Sequence, residues 1–105
     1  MEATLDELIQ KISEKYKFQE ASYPPVKSMS EEEIKAFAIN HLSLHFSKTA
    51  GKIAAIIEDV NHGGTLKIEN LKSDLNKSLG NTLRMAELIG MRGKDFLDYI
   101  NDKYK

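Results

Sequence analysis

His41, His45, Thr49, Lys52 and Asp59 fall together on one face of a helical pattern that runs from Ile34 to Gly64, IKAFAINHLSLHFSKTAGKIAAIIEDVNHGG, because residues three and four apart meet on one side of a helix. This polar ladder of about five turns is where chemistry would be sought first. His41 and His45 have the spacing at which two imidazoles can share a zinc ion. A zinc site needs more. Leu42, Ser43 and Leu44 separate the two histidines without the glutamate of an HExxH site, and no third ligand is legible; the plainer reading is a histidine pair lining a helix or dimer contact. Asp59 alone would hold a hard cation weakly, and a salt bridge to Lys52 or to a partner is the expected role. Downstream, Asn70, Asp74, Lys77, Asn81 and Arg84 form a second polar stripe.

Apolar stripes must seat these polar ones. On the central helix, Ile39, Leu42, Phe46, Ala50, Ile53, Ile57 and Val60 share a face, which is expected to be buried. Ser30 followed by Glu31, Glu32 and Glu33 forms a capping box whose acids suit the positive end of the helix. That location accounts for the three glutamates without a cation. His62-Gly63-Gly64 supplies the stop. Before this helix, Thr4 and Glu7 cap a short first helix with Leu5, Leu8, Ile9 and Ile12 on its apolar side, ending near Tyr16. Residues 17–29, with Pro24 and Pro25, read as an extended connector that Tyr23 and Val26 pin to the core.

After it, a third helix is predicted from Lys67 to Ile89, with Ile68, Leu71, Leu75, Leu79, Ala86 and Ile89 apolar. Gly80 within it predicts close approach by a neighbouring helix, and Gly90 ends it. A last helix from Gly93 to about Tyr104 turns Phe96, Leu97 and Ile100 inward. No segment alternates like a strand. The fold class is all-α: residues 1–29 give an N-terminal helix and Pro-containing connector, and residues 30–105 give the helical core of a single domain.

A chain of 105 residues can bury one modest core, and pairing would help it. No apolar run approaches the length of a membrane span, no secretory signal opens the chain, and a cytoplasmic location is expected. The absence of cysteine removes disulfides and thiolate chemistry. A net charge of −1 and a pI near 6.3 argue against nucleic acid as a partner. Residues 83–100, LRMAELIGMRGKDFLDYI, resemble a helix-turn-helix, with Ala86, Gly90, Phe96 and Ile100 in the usual packing positions. Yet the second helix would offer Asp95 and Asp98 to phosphates, so two helices packed at a glycine is the simpler account.

Three features resemble the MazG-like all-α nucleotide pyrophosphohydrolases. The run from Thr49 to Ile57, TAGKIAAII, is similar to that family's central helix, which reads like GEAGEVAEII; a glycine turn follows; and Asp74-Leu75 to Gly90-Met91 is similar to ELGDVLWYLxxLAxxLGI, with a short closing helix. The resemblance implies a four-helix bundle, a homodimer, and an ExxE facing an ExxD whose four carboxylates hold Mg²⁺ against a nucleotide's phosphates. Carried onto this chain, those positions are Thr49, Lys52, Asp74 and Lys77. One carboxylate survives among two lysines, and Mg²⁺ would be repelled.

The resemblance therefore implies a homologue that keeps the scaffold, has lost catalysis, and serves as an interaction, regulatory or nucleotide-sensing protein. Lysines in the ligand positions would either pair with Asp74 and Asp59 or, with Asn81 and Arg84, form a phosphate site at Lys52, Lys77, Asn81 and Arg84. No cofactor and no metal are expected; Asp59 and Asp74 come nearest to being ligands. A homodimer and a nucleotide or phosphate ligand are the expected partners, with Phe37 and Leu44 as candidates for a second contact surface. Two alternatives stand beside this reading: an active, Mg²⁺-dependent hydrolase with ligands displaced to Asp59, Asp74 and Glu58 or Glu87, and a helix-turn-helix DNA binder.

Overall fold

Two capping boxes set where the first helices begin. The Thr4 hydroxyl accepts from the Glu7 N–H at 3.1 Å while the Glu7 carboxylate accepts from the Thr4 N–H at 3.3 Å, and α1 runs Leu5–Lys15. Ser30 and Glu33 make the same exchange at 3.2 and 3.0 Å. The backbone N–H of Ser30 holds the Glu33 carboxyl below the usual carboxylate range. From there α2 runs 31 residues, Glu31–Asn61. The computed structural model describes residues 2–105, and α2 accounts for most of its longest dimension of 50 Å.

Between α1 and α2 the chain is not simply extended. Pro24–Ser28 forms one 3₁₀ turn, since proline presets the φ that a first helical position requires. Val26 in that turn is buried and Tyr23 is half-buried, as expected of residues that pin the connector.

α3, Ile68–Ile89, folds back along α2 through residues 62–67, and α1 packs on another side of it. It ends where Gly90 adopts φ +76°, which lets the Met91 N–H donate to the Ala86 carbonyl at 2.9 Å. α4, Gly93–Lys103, is tied to the start of the chain by the Gly93 N–H, which donates to the Asp6 carboxylate at 2.7 Å. Ile9, Leu83 and Ala86 form the main core, with Leu5, Ile12, Met91 and Phe96 against it. Gly80 permits the close approach read from sequence, because a Cβ there would stand 3.0 Å from Ile12 Cδ1.

The all-α class holds, with four α-helices among the described residues, but two faces differ from expectation. On α2 the buried positions are Ala38, Leu42 and Thr49; Ile39, Phe46 and Ile53 of the expected stripe are half-buried, and so are Ile34, Phe37, His41, His45 and Ile56 outside it. At 100° per residue the inward line lies roughly 60° from the expected one, on the seam between the apolar and polar stripes. Ala50 is exposed and Ile57 is 45% exposed. On α3, Asp74 and Asn81 are buried while Leu75 and Leu79 are 56% and 51% exposed. The cause lies in α3's two neighbours. Of the expected stripe, Ala86 is buried in the core with Ile9 of α1 and Leu71 is half-buried, while Ile68, Leu75, Leu79 and Ile89 stay open.

On both helices the apolar stripe is displaced from the seam in the same rotational sense. In an antiparallel pair that sense brings both stripes out on one side of the hairpin, and both polar stripes out on the other. α4 likewise buries less than expected: Phe96 is half-buried, but Leu97 and Ile100 are exposed.

Candidate functional site

The polar side of the α2/α3 hairpin forms an open groove of about 770 Å³, closed at one end by the last turn of α1. From α2 it receives His45, Lys48, Thr49 and Lys52. From α3 it receives Lys72, Asn76, Lys77, Asn81 and Arg84. Lys52, Lys77, Asn81 and Arg84, the phosphate candidates from sequence, are thus brought to one cavity together with Thr49. Asp74, only 6% exposed, borders an adjoining hollow of about 380 Å³ shared with Lys52 and Lys77. Lys52 and Lys77 thus line both hollows, with Thr49 on the first and Asp74 on the second. Lys48, Lys72 and Asn76 were missed by sequence reasoning; the spacing of four from Lys52 would have placed Lys48 on the same wall, whereas Lys72 and Asn76 lie five residues and one residue from Lys77 and share no face with it by period.

The expected ion pairs do not form. Among the described residues, no carboxylate lies within salt-bridge distance of Lys48, Lys52, Lys77 or Arg84; the ion pairs present are Lys27 with Glu20, Lys72 with Glu69 at 3.3 Å, Arg92 with Glu87, and Lys94 with Asp98. Lys52 thus pairs with neither Asp59 nor Asp74. Asp59 stands instead at the end of α2, its carbonyl accepting from the Gly64 N–H at 2.9 Å. Among the described residues no three His, Asp or Glu side chains gather as a metal-binding group, so Asp59, Asp74, Glu58 and Glu87 are not brought together.

His41 and His45 do meet, Nε2 to Nε2 at 3.0 Å. Such a contact requires one of the two nitrogens to donate and the other to accept. His41 also joins an aromatic cluster: Phe37 stacks on it at 6.0 Å and Tyr23 meets it edge-on at 4.9 Å, with Phe18 stacked on Tyr23 at 4.8 Å. Phe37 packs within its own chain and is half-buried, whereas Leu44 remains exposed.

Burial pushes the His45 imidazole below its ordinary value, and the positive charge of His41, Arg84 and Lys48 adds to the effect. The unfolded chain, with histidine near pH 6.5, then binds the proton before the folded chain does. Stability is accordingly complete above about pH 7, falls as the pH drops through the ordinary histidine value, and levels off below the depressed one. His45→Gln is expected to flatten this acid limb. Melting temperatures of wild type and variant between pH 8 and 5, in steps of about half a unit, check it; parallel curves would remove His45 as the source.

Arg84 is the most constrained cation in the groove. Its guanidinium lies 4.8 Å from the Phe18 ring centroid and 5.4 Å from that of Tyr16. Nη2 donates to the Tyr16 carbonyl at 3.2 Å and to the Tyr23 hydroxyl at 3.5 Å. The connector residues thereby fix an α3 side chain. No family model matches the chain, and no curated protein or solved structure matches it either.

Proposed function

We propose that this chain is a MazG-like helical protein without pyrophosphohydrolase activity that acts as a homodimeric interaction or regulatory module. The observation that carries the loss of catalysis is the content of the four motif positions at the α2/α3 seam: Thr49, Lys52, Asp74 and Lys77 supply one carboxylate and two cations. Two-metal phosphoryl chemistry needs a cluster of oxygen ligands that offsets the charge of the ions, and lysines opposite Asp74 work against it.

Homodimerisation is supported by the other side of the hairpin. Ile57, Val60, Ile68, Leu75 and Leu79 are large apolar side chains left at least a third exposed, on the side away from the polar groove. A contiguous apolar surface of this kind on two long antiparallel helices fits a second copy of itself, which would complete a bundle of helices around a shared core. A fold does not by itself license an activity, so the reading rests on the motif positions and this surface.

The test is a pyrophosphate-release assay with a panel of nucleoside triphosphates and MgCl₂ or MnCl₂. The expected result is release no faster than in a protein-free blank. Metal-dependent release that Asp74→Ala abolishes would overturn the reading and establish the displaced-ligand hydrolase.

A further inference from the structure

The groove gathers Lys48, Lys52, Lys72, Lys77 and Arg84 against one carboxylate, Glu69, which Lys72 already holds at 3.3 Å. The whole chain carries a net charge of −1, so this concentration of positive charge is local and not a consequence of composition. Unpaired like charges around one cavity repel each other. Packing the hairpin does not require them, since the lysine ends are exposed. An anion in the groove removes that repulsion.

Arg84 gives the groove a fixed point. Two aromatic rings bracket its guanidinium, its hydrogen bonds to Tyr16 and Tyr23 run through Nη2 alone, and Nε is buried with no partner. A guanidinium stacked in this way loses little further freedom when it binds. Around it, the lysines are compact charges on flexible stems that adapt to several oxygens at once. Thr49, 5% exposed, and Asn81, 8% exposed, line the same cavity as neutral polar groups. A volume of about 770 Å³ falls within the range of small-molecule sites. Several cations spaced along one groove match an anion whose charge is spread along a chain, and a single carboxylate or sulfate would leave most of them unused.

We propose that this groove binds the oligophosphate group of a small molecule, inorganic or carried on a nucleoside, without a divalent cation. The lysines occupy the electrostatic role that metal ions play at carboxylate-lined phosphate sites. The site lies within one protomer and depends neither on dimerisation nor on the loss of catalysis.

Calorimetric titration of the full chain at low ionic strength, with tripolyphosphate and with ATP, each in EDTA and in MgCl₂, tests it. The expected result is saturable binding of tripolyphosphate in EDTA, weakened about tenfold or more by Lys77→Glu and by Arg84→Lys, and unaltered to within about twofold by Lys35→Glu on the exposed start of α2. Circular dichroism confirms that Lys77→Glu keeps its helices, as an exposed position should. Equal affinity for the two probes means that the groove reads phosphate alone; tighter binding of ATP means that the nucleoside adds contacts. Absence of binding, binding that requires Mg²⁺, or an equal loss in Lys35→Glu and Lys77→Glu would overturn the proposal, the last because it would reduce the effect to net charge.

Discussion

Leu75→Glu combined with Leu79→Glu is expected to convert the proposed dimer into a folded monomer of 11.9 kDa. Both side chains are more than half exposed in a single protomer, at 56% and 51%, so within one chain the substitutions should change stability by no more than about 0.5 kcal/mol. In an isologous pair the same surface appears twice. Four carboxylates would then enter one apolar contact. Each uncompensated charge taken from water costs several kcal/mol, and about 1.4 kcal/mol is a tenfold change in dissociation constant. The expected increase is at least about a hundredfold, even after the side chains bend toward solvent. Sedimentation equilibrium reads this directly, with wild type at twice the protomer mass and the double variant at the protomer mass with undiminished helical signal. A wild-type protein that stays monomeric at concentrations of about 100 μM would rule the apolar surface out as a strong self-contact.

The elements were legible because their signals are local. Thr4 with Glu7 and Ser30 with Glu33 are side chain to backbone exchanges within one turn, and Gly90 needs only its own φ to end α3. Facing is another matter. Periodicity says which residues share a stripe, but not which stripe meets a neighbour. Here Thr49 and Asp74 turn inward while Ile57 and Leu75 stay open, which a rule that buries the most apolar stripe could not anticipate for a chain that packs only part of its apolar surface on itself. The Arg84 bracket was hidden for a different reason. Tyr16 at the end of α1 and Phe18 in the connector lie more than sixty residues before Arg84, and only the docking of α1 on α3 brings them together. The density of aromatics at Tyr16, Phe18 and Tyr23 was the one available signal. That Lys52, Lys77, Asn81 and Arg84 line one cavity was legible from two signals together: Lys52 and Lys77 were carried over from the resemblance, and Asn81 and Arg84 share the polar stripe of Lys77.

Ile9→Ala is expected to cause the largest loss of stability of any single truncation in the main core. Ile9 is fully buried and forms the core with Leu83 and Ala86, with Leu5, Ile12, Met91 and Phe96 around it. Removing most of a buried isoleucine costs about 2–5 kcal/mol, part in lost transfer energy and part in the cavity left behind. A domain of this length has about 5–15 kcal/mol in total, so a loss of this size is a substantial part of its stability. α1 makes its main contact with α3, and no disulfide retains it once that contact weakens. The consequence reaches the groove, because Tyr16 directly follows α1 and supplies both a ring and a carbonyl to Arg84. Urea denaturation at fixed protein concentration should show a lower midpoint with little change in slope, whereas Leu44→Ala, at an exposed position of α2, should stay within about 0.5 kcal/mol of wild type. If Ile9→Ala costs no more than Leu44→Ala, α1 is not seated on α3 through Ile9, and the bracket that orients Arg84 loses its foundation.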